Sequence, residues 1–127
     1  EIFLAYLIGQ SFVGLRADDV RRWTQVLQSA SLTGRAPTEI DLVAVGEAAI
    51  PALHAAALQD ADFRTVTLRR MIASWEAVAG ARETFDQVVN VVHGALKHYD
   101  LPDLVGLVGR ERVTLAEPVD VMGRSAP

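Results

Sequence analysis

Two hydrophobic periods run along the chain, one typical of amphipathic helices and the other of buried strands. Within 16–30, apolar residues recur at steps of three and four, namely Val20, Trp23, Val26 and Leu27. Charged and polar residues fall on the other faces of this segment, so it predicts an amphipathic helix. The segment 33–38 contains glycine and proline, which predicts a loop.

Three short apolar segments predict strands, at 40–45, 65–68 and 112–116. We expect 40–45 to be the central buried strand, with the other two on either side of it or with one of them separated from it by another element. Further helices are predicted at three segments, 48–58, 85–96 and 102–108. Two of them carry proline in the first turn, where the missing N–H costs little.

The remaining segments complete an α/β pattern. A turn is expected at 60–63 and an unstructured tail at 122–127, and Trp75 is expected to be buried in a crossover within the ambiguous segment 69–84. Strands that alternate with helices favour a parallel sheet with right-handed connections. We therefore predict one domain over 1–127, a three-layer α/β sandwich around a short parallel sheet.

Composition narrows the classes of protein. The 127 residues are 50% apolar and 22% charged, which is typical of a globular domain. The net charge of −4 offers no basic face, so a nucleic-acid partner is not expected. The chain has no cysteine, which excludes disulfides and thiolate metal sites within it.

The chain opens within an apolar stretch, 2–15, that Gly9, Gln10 and Ser11 interrupt. It is shorter than the roughly 20 apolar residues that a membrane helix needs, and no basic segment precedes it as in a signal peptide. We expect no membrane partner. An opening of this kind indicates a fragment or a processed piece of a larger protein.

The most informative segment is 42–51, where an apolar strand, a glycine and a helix of small residues follow one another. This order is the frame of the nucleophile elbow, G-x-S-x-G. Here alanine stands at the serine position, Ala48, and Ile50 replaces the last glycine. Alanine has no hydroxyl, so no acyl-enzyme can form there, and Glu47 lies one step away. The alternative is an ordinary βα unit of a parallel sheet.

Three further segments carry a wider resemblance, at 9–20, 99–104 and 113–120. Together with the elbow frame they resemble, in order, the C-terminal half of bacterial acetyl-xylan-esterase-like and cephalosporin-deacetylase-like α/β hydrolases. The resemblance implies a partial α/β-hydrolase-like domain with Asp120 at the position of the catalytic acid. It also implies a histidine beyond 127 and an oxyanion-hole strand before 1. The alternative for Asp120 is a loop aspartate that caps a helix.

Other candidate sites are weaker. Ser11 lies in a second elbow-like segment, 9–14, but its spacing is off by one, so a buried or helix-capping serine is favoured. His93, His98, Asp100 and Asp103 are close in sequence, yet a five-residue step does not place two histidine rings on one helical face.

Cofactor sites are no better supported. A dinucleotide site needs G-x-G-x-x-G, and the residues after Gly46 supply no such glycines. Arg69 and Arg70 are most simply solvated. His54 is expected at the edge of the core. No metal and no cofactor is expected.

Two functions follow from these patterns. The first is a non-catalytic α/β-hydrolase-like module, a fragment or C-terminal domain of a larger bacterial protein. The second is part of a carboxylic-ester hydrolase, acting on an acetyl ester or a carbohydrate, whose catalytic residues lie partly outside this chain. In either case the expected partners are another copy of the chain or the remainder of its parent protein, with a carbohydrate or an ester as ligand.

Overall fold

The computed structural model describes residues 2–29, 34–58 and 63–127. In chain order its helices and strands are α1 (Ile2–Leu7), α2 (Phe12–Gln28), β1 (Asp41–Val45), α3 (Ala49–Leu58), β2 (Thr65–Arg69), α4 (Trp75–Gly80), α5 (Leu101–Val108) and β3 (Val113–Ala116). Short 3-10 turns lie at Gly46–Ala48, Val88–Asn90 and Ala95–Lys97. The expected turn at 60–63 falls mostly outside the described residues.

The three strands form one parallel sheet in the order β1-β2-β3. All three predicted strands are confirmed, and so is the α/β class. The prediction that 40–45 is the central strand was wrong, because β2 occupies the centre and β1 pairs with β2 alone among the described strands. An apolar run shows that a strand has a buried face, but it does not show how many neighbours that strand has.

The helices cover one face of this sheet. Val66 and Leu68 of β2 are fully buried, and they share a core with residues of α2, α3 and α5. On the opposite face the exposed fractions of Val43 and Val45 are 63% and 53%. The described residues therefore form two layers, one of helices and one sheet.

Helix starts follow the capping residues. α2 begins at Phe12, four residues before the predicted 16, because Ser11 Oγ accepts the N–H of Gly14 at 2.9 Å. α5 begins at Leu101 behind a capping box of Asp100 and Asp103. The predicted helices 16–30, 48–58 and 102–108 are confirmed with these adjusted starts. In the predicted loop, 34–38 contains no helix or strand.

The predicted helix at 85–96 was wrong. This segment holds only the 3-10 turns at Val88–Asn90 and Ala95–Lys97, and it is interrupted by left-handed backbone at Asp86 (φ 55°) and Gly94 (φ 72°). The apolar valines of the segment carried the helical pattern, but valine has low helix propensity and tertiary contacts decided the outcome.

Two predicted segments remain, the ambiguous one at 69–84 and the tail at 122–127, and both are ordered. Trp75 is 6% exposed and begins α4 in the crossover between β2 and β3, as predicted. The expectation of an unstructured tail at 122–127 was wrong, because Ser125 bridges to Val119 and the Ala126 N–H donates to Pro118 O at 2.8 Å. In the described part of the chain, no helix is long and apolar enough to cross a bilayer.

Candidate functional site

The strand–turn–helix expected at 42–51 is present, but its strained residue is not the one at the nucleophile position. β1 ends at Val45, and the turn takes its positive φ (61°) at Gly46. Ala48 lies two residues later, exposed, in the 3-10 turn before α3. A nucleophile elbow places the nucleophile itself on the strained turn. Here the residue with positive φ is Gly46, and glycine adopts this φ at little cost.

An ion pair joins α2 to the turn after β1. The Arg16 guanidinium of α2 lies 3.6 Å from the Glu47 carboxylate beside the elbow. Arg16 also lies over the Phe12 ring, 5.4 Å from its centroid. Both charged side chains are partly exposed, so the pair contributes little to the stability of the fold.

Asp120 uses both carboxylate oxygens within its own turn. Oδ1 accepts the N–H groups of Met122 and Arg124, each at 2.9 Å, and Oδ2 accepts Arg124 Nε at 2.9 Å. These bonds, the one from the Arg124 N–H foremost, hold the pKa of Asp120 below its ordinary value. No hydrogen bond joins it to a histidine of the described chain. Its role as a catalytic acid stays a prediction.

Ser11 is the cap of α2, as favoured from the sequence. Of the three histidines, His93 is exposed and packs edge-on against Tyr6 with 5.8 Å between ring centroids, and His98 is exposed. Within the described residues, no group of three or more histidine, aspartate and glutamate side chains is placed to hold a metal ion.

His54 is buried in the core rather than at its edge, with an exposed fraction of 7%. Its Nδ1 bonds Ile50 O at 2.8 Å, and because a carbonyl only accepts, Nδ1 carries the proton. Nε2 therefore accepts the Tyr99 hydroxyl at 3.0 Å. Burial lowers the pKa of His54 below its ordinary value of 6.5, and the bond to Ile50 opposes this only in part. The sequence pattern missed this contact because Tyr99 is 45 residues away.

The neutral state of His54 predicts acid sensitivity. The unfolded chain takes up this proton near pH 6.5 and the folded chain does so only at lower pH, so the free energy of unfolding falls as pH drops below about 6.5. We expect urea unfolding to show a smaller loss between pH 7.5 and 5.5 in His54→Gln than in the unmodified chain. His98→Gln is the control and keeps the full loss. Equal losses in all three proteins would contradict the prediction.

A cleft of about 220 Å³ lies at the carboxyl ends of the strands. Its polar lining comes from Glu47, Arg70, Asp86, Gln87 and Asn90. Its apolar lining comes from Ile50, Met71, Ile72, Phe85 and Val119. Neither Ala48 nor Asp120 lines it. In parallel α/β sheets this edge is where ligands bind.

Two lining residues of the cleft have strained backbones. Arg70 and Asp86 both have φ of 55°, and Glu117 is the only other non-glycine residue of the described chain with positive φ. Such backbone costs about 1–3 kcal/mol each and clusters at functional sites. The sequence carried no signal for it at Arg70, whereas aspartate, as at position 86, adopts left-handed backbone more readily than most residues.

Asn90 brings an unpaired acceptor to this cleft. It is 8% exposed, its Nδ2 donates to Gln87 Oε1 at 3.3 Å, and its backbone oxygen accepts Trp75 Nε1 at 3.0 Å. Its Oδ1 is buried and accepts no hydrogen bond from the described residues. Buried acceptors are nearly always paired, so this atom is an exception within the described residues.

The chain matches no protein-family model, and it has no significant match among curated proteins or among solved structures. The likeness to α/β hydrolases therefore depends on the residues quoted above.

Proposed function

We propose that this chain is a non-catalytic α/β-hydrolase-like module, an interaction or structural half-domain of a larger protein. The observation that carries the proposal is Ala48. It offers no nucleophile, and its backbone lies in a helical turn rather than on a strained elbow. Both carboxylate oxygens of Asp120 accept hydrogen bonds within its own turn, and none of its bonds in the described chain comes from a histidine.

We expect the purified chain to hydrolyse p-nitrophenyl acetate no faster than an inert protein of equal concentration. Ala48→Ser is expected to stay equally inactive, because the added hydroxyl would lie on an unstrained turn. Release of p-nitrophenolate measures both rates. A rate well above control that disappears in Ser11→Ala would place the nucleophile at Ser11 and end the proposal.

The exposed apolar surface of the chain favours a protein partner. The accessible area is 8100 Å², whereas a compact monomer of 13.7 kDa exposes about 6600 Å². The exposed apolar side chains include those of α1 and its end, Phe3, Leu4, Leu7 and Ile8. They also include Val43 and Val45 on the open sheet face, and β1 leaves its outer edge without a described strand. A second helical layer, which would complete a three-layer sandwich, fits on this face.

We expect the isolated chain to self-associate, most simply as a two-fold dimer, when the rest of its parent protein is absent. Burying several of these side chains recovers about 1.5–3 kcal/mol each, which is large against a domain's total stability. Gel filtration coupled to light scattering measures the mass. Val43→Lys should shift the distribution toward monomer, and Thr114→Lys, on the same face but already polar, should shift it less. A monodisperse 13.7 kDa species with a cooperative thermal transition would exclude the half-domain.

The second candidate is part of a true ester hydrolase, with an acetyl ester or a carbohydrate as substrate. One observation favours it: Asp120 follows β3 at the edge of the sheet where β1 delivers Ala48. The nucleophile and the histidine would then come from outside this chain. In a longer protein that contains this chain, Asp120→Asn would abolish ester hydrolysis under this candidate and leave it unchanged under the first.

A further inference from the structure

We propose that the cleft at the strand ends binds a small zwitterion, an α-amino acid with an apolar side chain. The proposal does not depend on the two catalytic positions of the hydrolase resemblance, because neither Ala48 nor Asp120 lines the cleft, although Glu47, Ile50 and Val119 of the resembling segments do. It holds whether or not the module has a catalytic partner. It begins from the charges that the cleft presents.

The cleft holds one cationic and one anionic side chain that do not pair with each other. Arg70 and Asp86 both line it, and no ion pair within 4.0 Å joins them in the described structure. Arg70 donates from Nη2 to Gly123 O at 3.2 Å, which leaves its other N–H groups for a ligand. The third charge, Glu47, is compensated by Arg16 at 3.6 Å.

Each unpaired charge has a complement on an amino acid. A ligand carboxylate suits the Arg70 guanidinium, and a ligand ammonium suits the Asp86 carboxylate. A ligand with only one of these charges would leave the opposite side chain of the cleft without its counterion. The two charges together therefore favour a molecule that carries both.

Asn90 supplies the point that orients the ammonium group. Its Oδ1 is a buried acceptor without a donor among the described residues, and an ammonium has three donors, enough to reach both Asn90 and Asp86. Asn90 Nδ2 donates to Gln87 Oε1, and turning the amide over would replace this bond by a contact between two acceptor oxygens. The buried acceptor of Asn90 and the carboxylate of Asp86, which both belong to residues of the cleft, together favour a donor of this kind.

The apolar residues of the cleft determine which side chain the amino-acid ligand carries. Among the apolar lining residues Phe85 is 64% exposed, whereas Ile50, Met71 and Ile72 are buried, so Phe85 supplies most of the apolar surface that a ligand would contact. Its volume of about 220 Å³ is below the range for drug-sized ligands, roughly 300–1,000 Å³. An aliphatic amino acid such as leucine matches both the size and the surface. Arg70 and Asp86 are both exposed, and both lie on backbone with positive φ, as residues at functional sites often do.

Isothermal titration calorimetry with matched probes tests this. Leucine carries both charges, 3-methylbutylamine carries the ammonium alone, and 4-methylpentanoate carries the carboxylate alone. We expect the unmodified chain to bind leucine with a Kd at least about tenfold lower than for either partial probe, as the loss of one charge-assisted contact requires. Equal affinity for all three probes, or tighter binding of glucose than of leucine, would overturn the proposal. Absence of detectable leucine binding at concentrations up to about 10 mM would also overturn the proposal, because a binding site for a free amino acid is expected to have a lower Kd.

Variants of the two charged residues provide the second test. Asp86→Asn keeps a residue that tolerates left-handed backbone, and Arg70→Gln removes the guanidinium. We expect each to raise the Kd for leucine at least about tenfold. The matched controls Asp19→Asn and Arg22→Gln, both exposed on α2 away from the cleft, should leave it within about twofold. Unchanged affinity in both cleft variants would exclude the cleft as the site. Esterase assays on the same proteins keep this result separate from the proposed function.

Discussion

Replacing Trp75 with alanine is expected to destabilise the fold by about 3–5 kcal/mol, the range for large-to-small changes of buried aromatic residues. The indole packs against two rings, with centroids 5.5 Å from His54 and 5.7 Å from Tyr99. Its Nε1 also satisfies the backbone oxygen of Asn90 at 3.0 Å. Truncation opens a cavity between α3 and the 88–97 segment and leaves a buried carbonyl without its donor.

The chain contains its own control for this experiment. Trp23 is 62% exposed on α2, and Trp23→Ala should change the free energy of unfolding by no more than about 1 kcal/mol. Trp75→Phe keeps an aromatic ring and loses the hydrogen bond, so an intermediate loss of about 1–3 kcal/mol is expected. Urea unfolding at one protein concentration measures all three. If Trp75→Ala and Trp23→Ala lowered the free energy of unfolding by similar amounts, Trp75 would not be the residue that stabilises the crossover.

Replacing Asp100 with alanine is expected to cost about 2–4 kcal/mol, because one carboxylate caps two helices. It accepts Ser74 Oγ at 2.6 Å and the N–H of Trp75 at 2.7 Å at the start of α4. It also accepts the N–H of Leu101 at 2.7 Å at the start of α5. Without this carboxylate, the N–H groups at the starts of α4 and α5 both lose their hydrogen-bond acceptor. Asp18→Ala removes only an exposed pair with Arg21 and should cost about 0.5 kcal/mol or less.

The effect of Asp100 should depend on pH. Burial alone would raise its pKa, but the hydrogen bonds from Ser74, Trp75 and Leu101 outweigh it and hold the pKa below the ordinary value of 3.8. A carboxyl with a lowered pKa stabilises the fold above about pH 3.8, and the stabilisation is lost as pH falls through its folded pKa. The difference in unfolding free energy between the unmodified chain and Asp100→Ala should therefore shrink from pH 7 to pH 3. A constant difference would show that the charge of Asp100 contributes nothing.

Residue types and their spacing along the chain were enough to predict the local elements and the fold class. Periodicity located α2, α3, α5 and all three strands, because amphipathic and buried segments must place apolar residues at fixed spacings. Alternation of strands and helices determined the parallel sheet. Ala48 excluded a serine nucleophile at the elbow without any coordinates, since alanine has no hydroxyl. Ser11 as a helix cap also followed from residue type and spacing.

The structure was needed for every feature that depends on contacts between residues distant in sequence. It placed β2 rather than β1 at the centre of the sheet, and it replaced the predicted helix at 85–96 with turns that deliver Asn90 to Trp75. It showed that the positive φ of the elbow lies at Gly46, and that Arg70 and Asp86 also have positive φ. Periodicity reports which face of a segment is apolar, whereas the neighbour that covers that face, and the backbone it imposes, are set by the whole chain packing at once.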